Sequence, residues 1–144
     1  MALKGYHKAL RARNALIKNN GTDDEIDAFD HLLSTFAATI VQQRRNTLLQ
    51  FQDIFQDFYH RIAESKTENP ELCYKPSESP ESPEEFAALL HRNRNKDKLY
   101  RTTQSGPHRD DFSFLLNGNK AASFASEGQQ RALVLSLRFV QFEY

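Results

Sequence analysis

Residues 22–64 read TDDEIDAFDHLLSTFAATIVQQRRNTLLQFQDIFQDFYHRIAE, with neither proline nor glycine. The stretch opens on a start signal. Thr22 has the hydroxyl of an N-cap, and Glu25, three residues on, has the reach to return to the Thr22 backbone. Apolar residues then fall at Ile26, Phe29, Leu33, Phe36 and Ile40, and again at Leu48, Phe51, Phe55, Phe58 and Ile62. Each set steps by three and four, as a heptad seam does. From Ile40 to Phe51 the step is eleven, the spacing of a stutter, and Arg44 stands in that gap where an apolar residue would continue the seam. The spacing predicts one continuous helix, about 60 Å long at ~1.5 Å per residue. Its phenylalanine stripe needs cover, and packing is favoured over a ligand groove as its use.

Working toward the N-terminus, residues 4–19, KGYHKALRARNALIKN, carry Tyr6, Ala9, Leu10, Leu16 and Ile17 at helical spacing. Asn19-Asn20-Gly21 stops that helix. A short connection makes the two helices antiparallel neighbours, so the first is the nearest cover for the second.

Toward the C-terminus the chain changes character. Residues 65–83 hold four prolines among Ser and Glu, and SESPESPEE is too polar to pack. Glu71–Lys75 is the one stretch there with the makings of an edge strand. Ser82, Pro83 and Glu85 form a second helix start, with Phe86, Leu89 and Leu90 as the face to bury. From Leu99 the period becomes two. Tyr100–Gln104 is β-prone, and 112–116 and 120–124 flank Asn117-Gly118, a strong hairpin signal. Residues 126–144 are apolar enough to predict a largely buried helix. The chain stops inside it with no capping residue, an end expected of a piece of a longer protein.

Composition narrows the class. There are 144 residues, one ordinary domain in size, with 39% hydrophobic and 26% charged. No apolar run approaches the ~18 residues that span a bilayer, and a single cysteine fits a reducing compartment, so a cytoplasmic protein is expected. Cys73 is the single cysteine, which excludes an internal disulfide and a thiol zinc site. The net charge is zero but segregated: +5 over residues 1–20, −9 over 21–90 and +4 over 91–144. Basic ends permit contact with nucleic acid, and solvated helix faces explain them equally well.

Two motifs carry chemistry. The later one is Phe124-Ala125-Ser126-Glu127-Gly128-Gln129-Gln130-Arg131. Ser126 is a good cap for the last helix. A helix N-terminus offers free N–H groups and a positive dipole end to an anion. Gly128 has no Cβ to keep a phosphate off the backbone. As a bare pattern this is weak, since an ordinary capped helix has the same look. The earlier motif is Ser105-Gly106-Pro107-His108-Arg109-Asp110-Asp111. His108 and Arg109 suit a phosphate or DNA, Asp110 and Asp111 suit a metal or a salt bridge to Arg109, and the whole suits a structural role before the hairpin. No second carboxylate cluster supports the metal. Arg92, Arg94, Lys96, Lys98 and Arg101 make a basic run that fits either DNA phosphates or a solvated turn.

Taken together, GPHRDD, a hairpin with Asn-Gly at its tip, and FASEGQQRALVLSLRF resemble the RecF family of bacterial DNA-repair ATPases. YHKALRARNALIK near the N-terminus is similar to a helix of that family. The resemblance is sharp over 105–138 and loose over 65–98. It implies an ABC-type ATPase related to the SMC proteins, in which two protomers enclose two ATP molecules with Mg. Ser126, Glu127, Gly128 and Gln129 match its signature motif, which contacts ATP held by the other protomer. The family commonly has Gln where Glu127 stands, so the carboxylate is expected to point away from the phosphates. No Gly-x-x-x-x-Gly-Lys-Ser/Thr loop occurs, and no acidic strand end follows the signature. The chain alone is therefore expected to be non-catalytic, and a full-length protein a weak ATPase. DNA, an ATP-dependent homodimer, RecR and RecO are the implied partners, in recombinational gap repair, replication and the SOS response.

The chain is expected to be α+β, mainly α. Residues 1–66 form an arm of antiparallel helices. Residues 67–98 add an edge strand, a linker and a short helix, and 99–144 a strand, a hairpin and the signature helix. A coiled-coil interaction module would explain the stripe but neither motif. A hydrolase built on His108 with Asp110 or Asp111 lacks a nucleophile.

Overall fold

A computed structural model describes residues 2–78 and 80–143, with Glu143 described by its backbone alone. Ser79 of the expected linker and Tyr144 of the expected uncapped end lie outside the described residues. The elements are α1 (Ala2–Lys18), α2 (Asp23–Ile62), β1 (Pro70–Lys75), α3 (Pro83–Tyr100), a single 3-10 turn (Pro107–Arg109), β2 (Asp111–Leu116), β3 (Asn119–Lys120), α4 (Ala121–Phe124) and α5 (Glu127–Glu143). The class is α+β, mainly α. The chain divides into two compact units, residues 1–43 with 76–110, and residues 44–75 with 111–144. α2 gives its first half to one and its second half to the other.

The capping box at the start of α2 forms as expected. Thr22 N–H donates to Glu25 Oε2 at 2.9 Å, and Glu25 N–H to Thr22 Oγ1 at 3.3 Å. α1 ends on Asn20 at φ 55°, with Gly21 N–H donating back to the Leu16 carbonyl at 2.8 Å. Asn20, rather than the glycine, takes the left-handed position that closes the helix.

In the first unit α1 and α2 run antiparallel. Phe36 sits against Gly5, and Arg13 meets Asp30 nearer the turn. α3 is antiparallel to α2 as well, because Arg94 pairs with Asp27 and Asp30 while Lys98 pairs with Asp23. The core is Tyr6, Ala9, Leu10, Ile17, Ile26, Leu33, Ala37, Ile40, Val41, Phe86, Leu89 and Leu90. Arg13, in the basic N-terminal stretch, lies in that same face of α1 at 0% exposure. Its Nε–H donates to Asp30 Oδ1 at 2.5 Å, and its Nη1–H to Asp97 Oδ2 and Thr103 Oγ1, both at 2.7 Å. One guanidinium thus joins α1, α2, α3 and the segment after α3.

That network corrects one expectation. Residues 100–104 are no strand: α3 runs through Tyr100, and Arg101 caps it at φ 53°. Thr103, β-prone by type, puts its N–H and its hydroxyl on Asn14 Oδ1, at 2.8 and 2.7 Å. Side-chain acceptors replace the ladder.

In the second unit β1, β2 and β3 form an antiparallel sheet in that order, in register from Pro70↔Leu116 to Lys75↔Asp111. β1 is an edge strand, as expected of Glu71–Lys75. Asn117 (φ 53°) and Gly118 (φ 78°) make the two-residue turn between Leu116 and Asn119, both in the region that a primed hairpin turn requires. The second hairpin strand stops at Lys120, where a strand through residue 124 was expected. Ala121-Ala122 are helix formers with little to pack on a pleat, and α4 begins there.

The core of this unit gathers Phe55 and Tyr59 of α2, Leu116, Ala121, and Ala132, Leu133 and Val140 of α5, with Phe51, Phe58, Leu72 and Phe114 around them. Phe55 stacks on Phe114 with centroids 5.8 Å apart. Arg44, the charge in the seam, lies 5.8 Å from the rings of both Tyr74 and Phe112, a cation–π position that suits a charge in the break of the stripe. α5 is not largely buried as expected. Ala132, Leu133, Ser136 and Val140 face the core, while Val134, Leu135, Phe139 and Phe142 are exposed among the described residues.

Two substitutions test these cores. Phe55→Ala is expected to cost about 3–5 kcal/mol through the cavity it leaves. Arg13→Met is expected to cost about 3–5 kcal/mol by stranding the buried Asp97 and half-stranding Asp30. Urea midpoints of the folded chain check both.

Candidate functional site: the capped start of the last helix

The start of α5 is a reciprocal cap. Gln129 N–H donates to Ser126 Oγ at 3.2 Å, and Ser126 N–H donates to Gln129 Oε1 at 2.7 Å. This is a capping box with glutamine in the return position. Two of the helix's first donors are thereby closed. The N–H groups of Glu127 and Gly128, at the exposed first turn, have no partner among the described residues. Ser126 Oγ accepts one bond and keeps its own O–H to donate.

Glu127 turns along the helix. Its carboxylate takes the Arg131 guanidinium at 2.5 Å, one turn on, with both side chains at least 75% exposed. Gly128 is helical, not left-handed. A Cβ built there would meet nothing nearer than Ser126 Oγ, at 4.0 Å. Gln129 reaches the other way as well: its Nε2–H donates to Glu68 Oε1 at 2.5 Å. Glu68 Oε2 accepts from the Tyr59 hydroxyl at 2.7 Å. Burial, then that carboxylate, pushes the Tyr59 phenol well above its ordinary pKa.

The GPHRDD motif folds as an internal brace of the first unit. His108 Nε2–H donates to the Thr103 carbonyl at 3.1 Å, which leaves Nδ1 to accept from the Tyr6 hydroxyl at 2.7 Å. Gly106 has φ 125°, and a Cβ there would lie 2.5 Å from the Tyr6 oxygen, so only glycine fits both the backbone and the neighbour. Asp110 Oδ1 accepts from Ser77 N–H at 2.8 Å. Arg109 is exposed, with Nη2 3.3 Å from the Thr103 carbonyl. Burial lowers the His108 pKa, the Arg109 charge adds to that, and the Thr103 carbonyl opposes it.

The basic run divides. Arg94 is buried and engaged by Asp27 and Asp30. Lys98 reaches Asp23 at 2.8 Å from the surface. Arg92, Lys96 and Arg101 are exposed.

No protein-family model matches the chain. Curated relatives do. The DNA replication and repair protein RecF of Alkaliphilus oremlandii is 34% identical over 149 residues, covering 98% of this chain and 40% of its own length. Those of Geobacter metallireducens and Flavobacterium johnsoniae are each 33% identical, covering 96% of this chain and 39% of their own. The chain belongs to the RecF family. Among solved structures, RecF–ATP of the RecFOR pathway superposes with a TM-score of 0.84 at 31% identity, and RecF–ATPrS with 0.85 at 29%. Each comparison covers 99% of this chain and 40% of the solved one. The chain therefore spans about 40% of the length of the RecF proteins it matches.

Within this RecF-family chain, Glu68 and Tyr59 escaped the sequence reading. Neither stands in a motif, and Glu68 lies 61 positions from the glutamine it holds. Only the fold brings them together.

The His108 brace has a pH signature. Its folded pKa lies below the unfolded value of about 6.5, so the unfolded chain binds the extra proton first. Its contribution is whole above about pH 6.5 and is lost as pH falls toward the lowered folded value. The urea midpoint is expected to drop between pH ~7 and ~5, and His108→Asn to drop less over that interval.

Proposed function

We propose that this chain is the signature-bearing lobe of a RecF-type, ATP-switched DNA-binding protein of recombinational gap repair and replication. Ser126 and Gly128 face the γ-phosphate of an ATP held by a partner protomer, and Gln129 closes the cap behind them. Gly128 is the observation that carries this reading. Alanine in an ordinary helical conformation is more favourable than glycine by up to about 1 kcal/mol, and open space surrounds the position where its Cβ would go. Nothing in the fold requires glycine at 128, whereas close approach of a phosphate to the backbone does. The two open N–H groups and the Ser126 hydroxyl are the donors such an anion takes. The withdrawal of the Glu127 carboxylate onto Arg131 removes a charge that would repel it. The names of the solved relatives, RecF with ATP and with ATPrS, point the same way.

ATP arrives with Mg, which neutralises phosphate charge; this chain's part is to orient and hold the terminal phosphate. In this reading residues 1–66 serve as the arm, 67–98 join it, and 99–144 form the signature element. Arg92, Lys96, Lys98, Arg101 and Arg109 are the bases available to DNA, with Arg94 and His108 engaged inside the fold. The partners are a second protomer, DNA, RecR and RecO, in the cytoplasm.

The test exploits opposite signs. Gly128→Ala is expected to leave the 144-residue chain as stable or up to about 1 kcal/mol more stable. In a RecF-length protein carrying this segment it is expected to weaken ATP-dependent dimerisation at least about tenfold, by occupying the space of the phosphate. Ser126→Arg is expected to abolish that dimerisation while ATP binding to one protomer persists. Sedimentation with and without ATP, beside a nucleotide-binding assay, reads both. Parent-like dimerisation in the two variants overturns the reading.

A further inference from the structure

Gln129 has a carboxamide, and a carboxamide has two faces. One end accepts and the other donates, and a half-turn about its last bond exchanges them. Only one orientation closes the cap, that with Oε1 toward Ser126 N–H. The reverse would set Nε2–H against N–H and leave the Ser126 donor open.

Glu68 selects between the two. A carboxylate only accepts, so its Oε1, 2.5 Å from Gln129 Nε2, admits the amide with its donor end inward and its acceptor end on Ser126. Glu68 is itself fixed. Its Oε2 takes the hydroxyl of Tyr59, which is fully buried in the core, and its backbone carbonyl takes His60 Nε2 at 2.8 Å. One turn and two turns earlier on α2, Gln56 and Gln52 hold the following residues. Gln56 donates to Asn69 Oδ1, and Gln52 donates to the Pro70 carbonyl, both at 2.9 Å, while Gln52 Oε1 accepts from Leu72 N–H at 3.2 Å. One face of α2, residues 52, 56, 59 and 60, thus grips the segment from Glu68 to Leu72, and Glu68 grips the cap.

We propose that Glu68 is the positioning residue of the phosphate-facing cap: it fixes the Gln129 amide, and so the direction of Ser126 and the open N–H groups, and anchors that cap to Tyr59 of α2. The proposal rests on the signature reading above and adds what holds the signature in its working orientation. Glu68 acts through Gln129 and touches no phosphate.

The decisive experiment is a double-mutant cycle in a RecF-length protein carrying this segment, read by ATP-dependent dimerisation and by ATP binding to the protomer. Glu68→Ala is expected to weaken dimerisation about tenfold, the scale of one charge-assisted hydrogen bond, with ATP binding to the protomer unchanged. Glu68→Gln presents an oxygen to Gln129 and an amide to the Tyr59 oxygen, and is expected to stay within about threefold of the parent. Glu68→Ala combined with Gln129→Ala is expected to be no weaker than Gln129→Ala alone, because the two act as one unit. In the 144-residue chain, the Gln129 side-chain amide protons are expected to collapse toward free-glutamine shifts in Glu68→Ala and to stay displaced in Glu68→Gln. A purely structural role would lower the melting point of Glu68→Ala and leave the folded protein dimerising normally. Additive effects, or folded Glu68→Ala dimerising like the parent, overturn the proposal. Should Glu68→Ala fail to fold, Tyr59→Phe decides, since it removes one hydroxyl and keeps the ring; parent-like dimerisation in it is the overturning result. Ser126→Arg separates the two layers. If it abolishes dimerisation while Glu68→Ala does not, only the role of Glu68 falls. If neither matters, the signature reading falls too.

Discussion

A helix of 40 residues buries nothing by itself, and every other element of this chain is arranged by that fact. α2 has an apolar stripe from Ile26 to Ile62, too long for any one neighbour. Its first half is covered by α1 and α3, and its second half by the three-stranded sheet and α5. The two covers use different chemistry. Along the first half, charged side chains supplement the apolar contacts, with Arg13 and Arg94 meeting the carboxylates of Asp27, Asp30 and Asp97. Along the second half aromatic rings stack, Phe55 on Phe114 and Phe58 on Phe139. Arg44, where the seam breaks, falls at the boundary between these two chemistries.

Features set by near neighbours in the chain were legible in the sequence. The Thr22–Glu25 box and the Asn117-Gly118 turn formed as read, because their geometry depends on three or four residues. The second helix start shows where such reading frays. Ser82 does accept from Glu85 N–H, yet Glu85 reaches back to the N–H of Glu81, not of Ser82. Features set at a distance were illegible. Arg13 looks like one more base in a basic stretch, and nothing local reveals a partner 84 positions away. Thr102-Thr103 look like strand because propensity cannot foresee Asn14. The apolar run of α5 predicts burial on all sides, and periodicity alone does not say how much cover the rest of the chain supplies.

At the candidate site the same division holds. Ser126, Gly128 and Gln129 could be read as a cap, since a cap is local. That the cap closes on itself, leaving only the Glu127 and Gly128 N–H groups open, needed coordinates. So did the finding that glycine at 128 answers no demand of the fold. His108 illustrates the opposite outcome: a residue type that draws attention in a sequence, here held between Tyr6 and Thr103 as part of a brace.

The Arg13 network has a bearing on how this sequence can drift. Arg13, Asp30, Asp97 and Arg94 share charges at buried positions, and Asp97 alone among them has a single partner of opposite charge, Arg13. A single step away from Arg13 passes through an intermediate with an orphaned buried carboxylate, whereas loss of Asp30, Asp97 or Arg94 leaves each remaining buried ion at least one partner. Concerted replacement, by contrast, reaches an apolar core of similar volume without that penalty. Over evolutionary time Arg13 and Asp97 are therefore expected to change together, whereas the exposed bases Arg92, Lys96 and Arg101 are at liberty to change one by one.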